Sequence, residues 1–361
     1  MFSRVGSIAT LLRWLGPWGP DGKPDAVERS EVVIEGPRPL RAYVYEPTRP
    51  PTGVYLILPG LHYLGPADTR LDRFASILSA SGYVVIAPFF PDAIALLLAP
   101  SMFDDADTAL RFAIAEAERR GLPAPALFSI SFGSILALHL ASQPEFDRRI
   151  SRAVLFGGYA ELFPAVEYAV TGRALHDGQA LSAKRDPLNS PVVFMNLLPH
   201  LVLPDDADRT ILMRAWRTMV HRTWGRMELK LDGARDPHAY AIARGLPDAL
   251  RQPFLRGCGL ANGSFSWLKE GIAEAGDRLA TFDAGDRPAR AHTPFALVHG
   301  RDDDVIPYFE SLKIASRLPP AMLTRTSITG LYGHTATARP GLGAIAAEAR
   351  AIYGMLSDLA G

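Results

Sequence analysis

The chain has 361 residues, of which 48% are hydrophobic and 21% charged. This composition is typical of a globular protein and argues against intrinsic disorder. The 38 Lys and Arg residues equal the 38 Asp and Glu residues in number, so no excess of positive charge is available to bind nucleic acid. The single cysteine, Cys258, excludes an internal disulfide and a cysteine-based zinc site, and it favours a cytoplasmic location.

The first twenty residues combine an apolar stripe at helical spacing with two arginines and two tryptophans. Such a helix could lie on a membrane surface, which would make the protein membrane-associated. The simpler interpretation, which we favour, is a helix packed on the body of the protein or a frayed end. The segment lacks the cleavage site of a signal peptide, and no run of about 18 apolar residues is present to span a bilayer.

Short apolar segments then alternate with helical ones along most of the chain. Two strands at 31–35 and 41–46 are predicted to pair antiparallel across a Gly-Pro turn. Further strands are predicted at 54–58, 83–87, 126–130, 153–156, 295–298 and 323–328. Helices are predicted at 68–79, 104–120, 132–142, 308–317 and 344–359. Continuous apolar strands joined by helices are typical of a mostly parallel α/β sheet, here with an antiparallel edge.

The segment 161–291 breaks this alternation. It is rich in helices, notably at 209–224 and 265–279, and contains many prolines but no clear sheet strand. An insertion of this kind between two sheet strands predicts a cap. We therefore expect an N-terminal amphipathic segment at 1–27, a core formed by 28–160 and 292–361, and a helical cap at 161–291.

The segment Ser129-Ile130-Ser131-Phe132-Gly133 joins a predicted strand to a predicted helix. A tight turn in this position lifts one serine hydroxyl above the sheet as a nucleophile, and the residues two before and two after it must be small. Ser129 stands where glycine is usual. Taken alone, the pattern also fits an ordinary serine-containing turn.

Three other segments follow predicted strands at the same edge of the sheet, where α/β proteins build their sites. Leu61, after Pro59-Gly60, could donate its backbone N–H to an oxyanion together with the N–H of Phe132. One aspartate of the run 302–304 could orient a catalytic imidazole, and His334 could supply that imidazole. Taken singly, the three segments also fit a Pro-Gly turn, a solvated acidic loop and a surface histidine.

Together, and in the chain order oxyanion segment, serine, aspartate and histidine, the four segments resemble the α/β-hydrolase superfamily over about 28–160 and 292–361. The residues from His299 to Pro307 match the family's H-G-x-x-D-x-x-x-P stretch, and Gly333-His334 matches its Gly-His. The resemblance implies a triad of Ser131, Asp303 and His334, with Asp302 as the fallback acid. It also implies an eight-stranded, mostly parallel sheet with a helical cap after the sixth strand. Glu161 is a rival acid, because some hydrolases place theirs there.

The resemblance implies a serine hydrolase that cleaves a small-molecule ester or thioester with a hydrophobic acyl or alcohol part. It requires no cofactor, and no metal-ligand spacing is present. Three alternatives remain: an acyltransferase using the same triad, a degenerate hydrolase that only binds a ligand, and a lipid-handling protein at a membrane surface. The sequence does not indicate the oligomeric state.

Four further residues are candidates for substrate contact. His62 follows the oxyanion segment, Leu96 and Leu97 belong to an unusually apolar loop, and Trp216 lies on a helix of the predicted cap. Each also has a plainer interpretation, in which His62 only lines its loop and the apolar residues form the core of the cap itself.

Overall fold

The computed structural model describes residues 4–16, 19–176, 178–182, 185–204, 207–330 and 342–361. Its strands are, in chain order, β1 (Val27–Ile34), β2 (Leu40–Pro47), β3 (Gly53–Leu58), β4 (Tyr83–Pro88), β5 (Ala126–Ile130), β6 (Arg152–Phe156), β7 (Arg173–His176), β8 (Gln179–Ser182), β9 (Phe295–Gly300) and β10 (Leu323–Thr329). Its α-helices are α1 (Arg4–Leu15), α2 (Thr69–Ala80), α3 (Pro91–Ile94), α4 (Ser101–Arg119), α5 (Gly133–Ala141), α6 (Leu162–Thr171), α7 (Ser190–Leu197), α8 (Arg209–Thr223), α9 (Asp236–Arg244), α10 (Asp248–Gly257), α11 (Ser264–Ala275), α12 (Phe309–Arg317) and α13 (Leu342–Ala360).

Eight of these strands form one sheet in the order β1-β2-β4-β3-β5-β6-β9-β10. The pairs β1–β2 and β2–β4 are antiparallel, and the remaining pairs are parallel. Every residue of β3 and of β4 is buried, as their continuous apolar sequences predict for strands covered by helices on both faces. The predicted eight-stranded, mostly parallel sheet with an antiparallel edge is therefore confirmed.

The first strand begins at Val27, four residues before the predicted start. Glu28, Arg29 and Ser30 are exposed, but each pairs with a residue of β2. An edge strand needs no apolar pattern where both its faces meet solvent, because backbone pairing holds it in place. Hydropathy therefore could not reveal the first half of β1.

The N-terminal helix α1 packs against α2 and α13. Leu11 is fully buried, and the hydroxyl of Ser7 donates to the carbonyl of Ser81 over 2.7 Å. These contacts agree with the simpler interpretation of the segment as a packed helix. Among the described helices, none is both long and apolar enough to cross a membrane.

The helical insertion (residues 157–294) joins β6 to β9 and contains α6 to α11. Most of these helices share an apolar core that is separate from the two clusters covering the faces of the sheet. The sequence did not predict the small hairpin formed by β7 and β8, whose four-residue strands are short and do not join the main sheet. The insertion follows the sixth strand of the chain, as expected.

Candidate active site

Ser131 lies in the turn between β5 and α5, at the carboxyl edge of the sheet. Its backbone has φ +52°, in the left-handed region that residues other than glycine rarely adopt. The backbone N–H of Ser131 donates to the carbonyl of Phe156 at the end of β6 over 2.8 Å, which holds the turn against the sheet. A strained serine held in this way is the geometry of a nucleophile elbow.

The residues around this turn are small because the backbone folds back onto β3. A Cβ on Gly133 would lie 2.2 Å from the carbonyl oxygen of Leu58, and one on Gly60 would lie 3.3 Å from the Cβ of Ser131. Ser129, in the position where glycine is usual, is fully buried in β5. Its hydroxyl has no hydrogen-bond partner among the described residues. The turn therefore accepts a serine there, at the cost of an unpaired hydroxyl.

Replacing Gly133 by Ala is expected to lower the free energy of unfolding by about 3 kcal/mol, because the new methyl group would overlap the backbone of β3. Urea denaturation followed by circular dichroism measures this change. Gly245→Ala is the matched control, since residue 245 has φ −87° and its Cβ would meet Ile242 at an ordinary 3.5 Å. Equal stability of the two variants would contradict the tight approach at Gly133.

Two backbone amides stand beside Ser131 without an acceptor. Neither the N–H of Leu61 nor that of Phe132 has a hydrogen-bond partner within the described ranges. Phe132 directly follows Ser131 at the start of α5, and Leu61 lines the same cavities as Ser131. Unpaired donors of this kind are what a developing oxyanion requires.

The carboxylate of Asp303 is held in the loop after β9. Its Oδ1 accepts hydrogen bonds from the backbone N–H groups of Val305 and Ile306, each over 2.8 Å. Burial raises the pKa of Asp303, although the nearby His299 and these two N–H donors oppose the rise. Asp302, the fallback acid, is exposed. The structure therefore favours Asp303 over Asp302 as an orienting acid, since its carboxylate is fixed in place.

His299 is a buried support of this loop, and the sequence analysis treated it only as part of a motif. Its Nδ1 lies 2.7 Å from the Ser311 hydroxyl and its Nε2 lies 2.9 Å from the carbonyl oxygen of Ile306. Burial lowers the pKa of His299, which favours the neutral ring. A neutral ring with its proton on Nε2 donates to Ile306, accepts from Ser311 and lies 3.6 Å from Asp303 Oδ2.

The third predicted triad residue, His334, lies outside the described residues. The strand that precedes it, β10, runs parallel to β9, and the N–H of Arg301 donates to the carbonyl of Thr329 over 2.7 Å. The chain therefore leaves β10 beside the loop that carries Asp303. The role of His334 stays a prediction.

Glu161, the rival acid, is engaged elsewhere. Its carboxylate lies 2.7 Å from Lys313 Nζ and 2.6 Å from an Arg317 guanidinium nitrogen. Burial raises the pKa of Glu161, but these two cations outweigh that effect and the net shift is downward. A carboxylate already paired with two cations is poorly suited to orient an imidazole.

Two cavities meet at Ser131. An apolar cavity of about 150 Å³ extends under the helical insertion, and a polar cavity of about 410 Å³ reaches toward Arg226, Lys230 and the aspartates after β9. Six residues line both cavities: Leu61, Ser131, Asn189, Trp224, Val305 and Ile306. Ser131 is thus placed where one part of a ligand can enter an apolar space and another part a polar one.

The four candidates for substrate contact have different positions. His62 lines the polar cavity, and its ring stacks on that of Tyr63 at 5.0 Å. Leu96 is fully buried and Leu97 half-buried in the core of the helical insertion, and Leu98 is the loop residue that lines the apolar cavity. Neither Leu96 nor Leu97 belongs to the lining of the two cavities, which corrects that expectation.

Trp216 also lies away from the cavities that it was predicted to line. It is fully buried, its indole Nε1–H donates to the carbonyl of Phe254 over 3.0 Å, and its ring centroid lies 6.2 Å from that of Phe194. It lines neither cavity at Ser131. The apolar face of α8 on which it lies packs inside the insertion, so the expectation of substrate contact by Trp216 is not met.

Replacing Trp216 by Ala is expected to cost about 3–5 kcal/mol in the free energy of unfolding, because it leaves a cavity and removes the partner of the Phe254 carbonyl. Urea denaturation followed by tryptophan fluorescence and circular dichroism gives the value. A variant of wild-type stability with a changed KM would restore the substrate-contact interpretation.

Several residues that line the apolar cavity were not predicted from the sequence, including Asn189 and, on α6, Phe163 and Val166. Nothing in their spacing separates them from ordinary core and loop residues, since long-range packing alone brings them to Ser131. Among the described residues, no group of three or more His, Cys, Asp or Glu side chains is placed to hold a metal ion.

Comparisons with known proteins find solved structures that are similar to this chain at low sequence identity. No protein-family model matches the chain, and no curated protein matches it either. Brefeldin A esterase, a bacterial homologue of human hormone-sensitive lipase, is 15% identical with a TM-score of 0.49, over 99% of this chain and 86% of that one. A soluble variant of monoglyceride lipase from Saccharomyces cerevisiae is 15% identical with a TM-score of 0.48, over 94% and 98% of the two chains.

A third solved structure, 2-hydroxy-6-oxo-6-phenylhexa-2,4-dienoate hydrolase from Rhodococcus sp. strain RHA1, is 14% identical with a TM-score of 0.41, over 84% of this chain and 90% of that one. The strand order, the antiparallel second strand and the strained serine that follows β5 are those of the α/β-hydrolase fold, which this chain therefore has.

Proposed function

We propose that the protein is a serine hydrolase that cleaves a carboxylic ester or thioester through an acyl-enzyme on Ser131. The observation that carries this proposal is the strained backbone of Ser131, beside two amides without described acceptors. Further support comes from Asp303, which lies in the loop after β9, two strands along the sheet from β5. Two backbone N–H groups hold its carboxylate in place. Such strain is retained where function requires it.

In this mechanism the Ser131 hydroxyl attacks the acyl carbonyl while His334 accepts its proton. The N–H groups of Leu61 and Phe132 stabilise the oxyanion, and Asp303 orients and stabilises the imidazolium. The tetrahedral intermediate then expels the alcohol or thiol, which takes the proton from His334. Water cleaves the acyl-enzyme by the same steps, regenerates the Ser131 hydroxyl and releases the acid.

The substrate proposed is a small-molecule ester with an apolar acyl part. The apolar cavity supports this, since a cavity of about 150 Å³ lined mostly by apolar side chains is large enough for a benzene-sized group. We also propose that the helical insertion acts as the cap, because Phe163, Val166 and Val192 from this segment line that cavity. An acyltransferase would use the same steps with an alcohol in place of water.

The test is a panel of p-nitrophenyl esters of increasing acyl length, combined with a fluorophosphonate probe and intact-mass measurement. We expect hydrolysis that is fastest for acyl chains of about six carbons or fewer, and one covalent adduct per chain. Product analysis in the presence of a second alcohol distinguishes hydrolysis from acyl transfer. A folded protein that hydrolyses no ester and forms no adduct would indicate a ligand-binding protein instead.

A further inference from the structure

Two arginines of the helical insertion lie close together with no carboxylate bound to either of them. Arg235, directly before α9, is only 6% exposed, and its Nε is enclosed without a hydrogen-bond partner among the described residues. Arg185 is half-buried, and its described side-chain hydrogen bond runs from Nη1 to the Ser190 hydroxyl over 3.2 Å. Neither guanidinium forms an ion pair with a carboxylate of the described residues.

Two neighbouring cations in a partly buried position are unfavourable without a negative charge. Buried charges in proteins are paired or hold an ion, because an unpaired one loses its hydration. Burial and the positive charge of Arg235 lower the pKa of Arg185, although two aspartates oppose the fall. Of these two, Asp186 is already paired with Lys230, 2.8 Å away, and Asp232 is exposed. The fold therefore leaves positive charge here that a ligand can neutralise.

The two guanidinium groups converge on a gap beside Gly259. A Cβ on Gly259 would lie 3.6 Å from Arg185 Nη2, 3.6 Å from the Ser190 hydroxyl and 4.0 Å from Arg235 Nη2. These are the three nearest described atoms beyond the glycine and its two chain neighbours, so a ligand atom has room there. Gly259 and Arg185 are both partly exposed, and Arg235 Nη2 is not among the enclosed atoms, so the gap opens to solvent.

The gap beside Gly259 is separate from the candidate active site. None of the four residues around the gap lines either cavity at Ser131. The segment 186–189, which joins two of these residues in the chain, contributes side chains to the lining of the polar cavity. A ligand in the gap would therefore contact both ends of a segment that forms part of the active-site wall, without entering the site itself.

We propose that Arg185, Arg235 and Ser190 bind a phosphate group, either as free phosphate or as a phosphate monoester. Guanidinium groups are suited to phosphate oxygens, and two of them match the charge of a dianion. A carboxylate carries one charge and would leave one guanidinium uncompensated. The Ser190 hydroxyl adds a hydrogen-bonding group, and Ser190 begins α7, whose N-terminal end favours an anion. The inference goes beyond the proposed function, since it concerns a different site.

The test measures the melting temperature of the full chain with inorganic phosphate and with NaCl of equal ionic strength, and the Kd by titration calorimetry. We expect a Kd below about 1 mM and a melting temperature that rises by about 2 °C at about 20 mM phosphate. Glycerol 3-phosphate is the second probe. Tighter binding of this monoester would assign the site to a phosphorylated ligand, and equal or weaker binding would assign it to the free ion.

Arg235→Met and Arg185→Met each keep an apolar stem and remove the guanidinium. We expect each to weaken phosphate binding by about tenfold or more, because a hydrogen bond to a charged group is lost. Arg185 is half-buried, so its variant gives the same test if Arg235→Met does not fold. Arg244→Met is the matched control, since Arg244 is exposed at the opposite end of α9, and it should keep the wild-type Kd.

Two results would overturn the inference. One is a wild type that phosphate and the monoester stabilise no more than NaCl does. The other is an Arg185 or Arg235 variant that binds phosphate with the wild-type Kd. Because no ester is present in these measurements, either result leaves the proposed function unaffected.

Discussion

Replacing Ser131 by Ala is expected to lower kcat/KM for every ester that the wild type hydrolyses by about 10⁴-fold or more, and to abolish the fluorophosphonate adduct. In the proposed mechanism the hydroxyl is the attacking group, and no other described hydroxyl shares the strained turn between β5 and α5. The adduct is measured by intact mass and the hydrolysis by release of p-nitrophenol. The alanine methyl fits where the serine Cβ already lies, so the variant should fold normally.

Ser129→Ala provides the matched control two residues earlier. Its hydroxyl is buried without a described partner, so its removal should not weaken folding or labelling. A Ser131→Ala protein that keeps the adduct would place the nucleophile elsewhere. Loss of the adduct in Ser129→Ala, with the fold intact, would equally contradict the assignment of Ser131.

Replacing Asp303 by Asn is expected to lower kcat/KM by about 10³–10⁴-fold with little change in stability. The amide oxygen can still accept from the N–H groups of Val305 and Ile306, which preserves the loop. In the proposed mechanism, however, the amide N–H presents a donor where the imidazole of His334 needs an acceptor, and so favours the wrong tautomer of the ring. Steady-state kinetics and thermal denaturation on the same preparation separate the two effects.

Asp302→Asn is the control for this change. Asp302 is exposed in the same loop, and solvent largely screens its carboxylate. Its replacement by Asn should therefore alter kcat/KM by less than about threefold. A large loss in Asp302→Asn together with a small loss in Asp303→Asn would exchange the roles of the two residues and restore the fallback acid.

The order of strands and helices was predictable because buried segments have a characteristic apolar sequence pattern. Strands β3 and β4 are apolar throughout because helices cover both faces of the sheet, and such strands joined by helices are typical of a mostly parallel sheet. The exposed half of β1 was not predictable, since a solvent-facing strand is held by backbone pairing that hydropathy does not record. The strands of the β7–β8 hairpin were not predictable because each is only four residues long.

The central residues of the site were predictable for a related reason. Ser131, Leu61 and Asp303 each follow a buried strand, and the carboxyl ends of parallel strands meet at one edge. Local sequence therefore indicated which loops converge. It could not indicate which apolar side chains line the cavity, because Trp216 on α8 and Leu96 in the loop after β4 are as apolar as the lining residues and yet pack inside the insertion.

By itself, the sequence determined the layered α/β sheet, the turn that carries Ser131 and the loop that carries Asp303, since these depend on local pattern and on strand ends. Only the tertiary structure decided that Trp216 packs in a core, that His299 supports the acid loop and that Glu161 is held by Lys313 and Arg317. It alone brought Asn189 into the lining of the two cavities at Ser131. These outcomes depend on contacts between residues far apart in the chain, which no local pattern encodes.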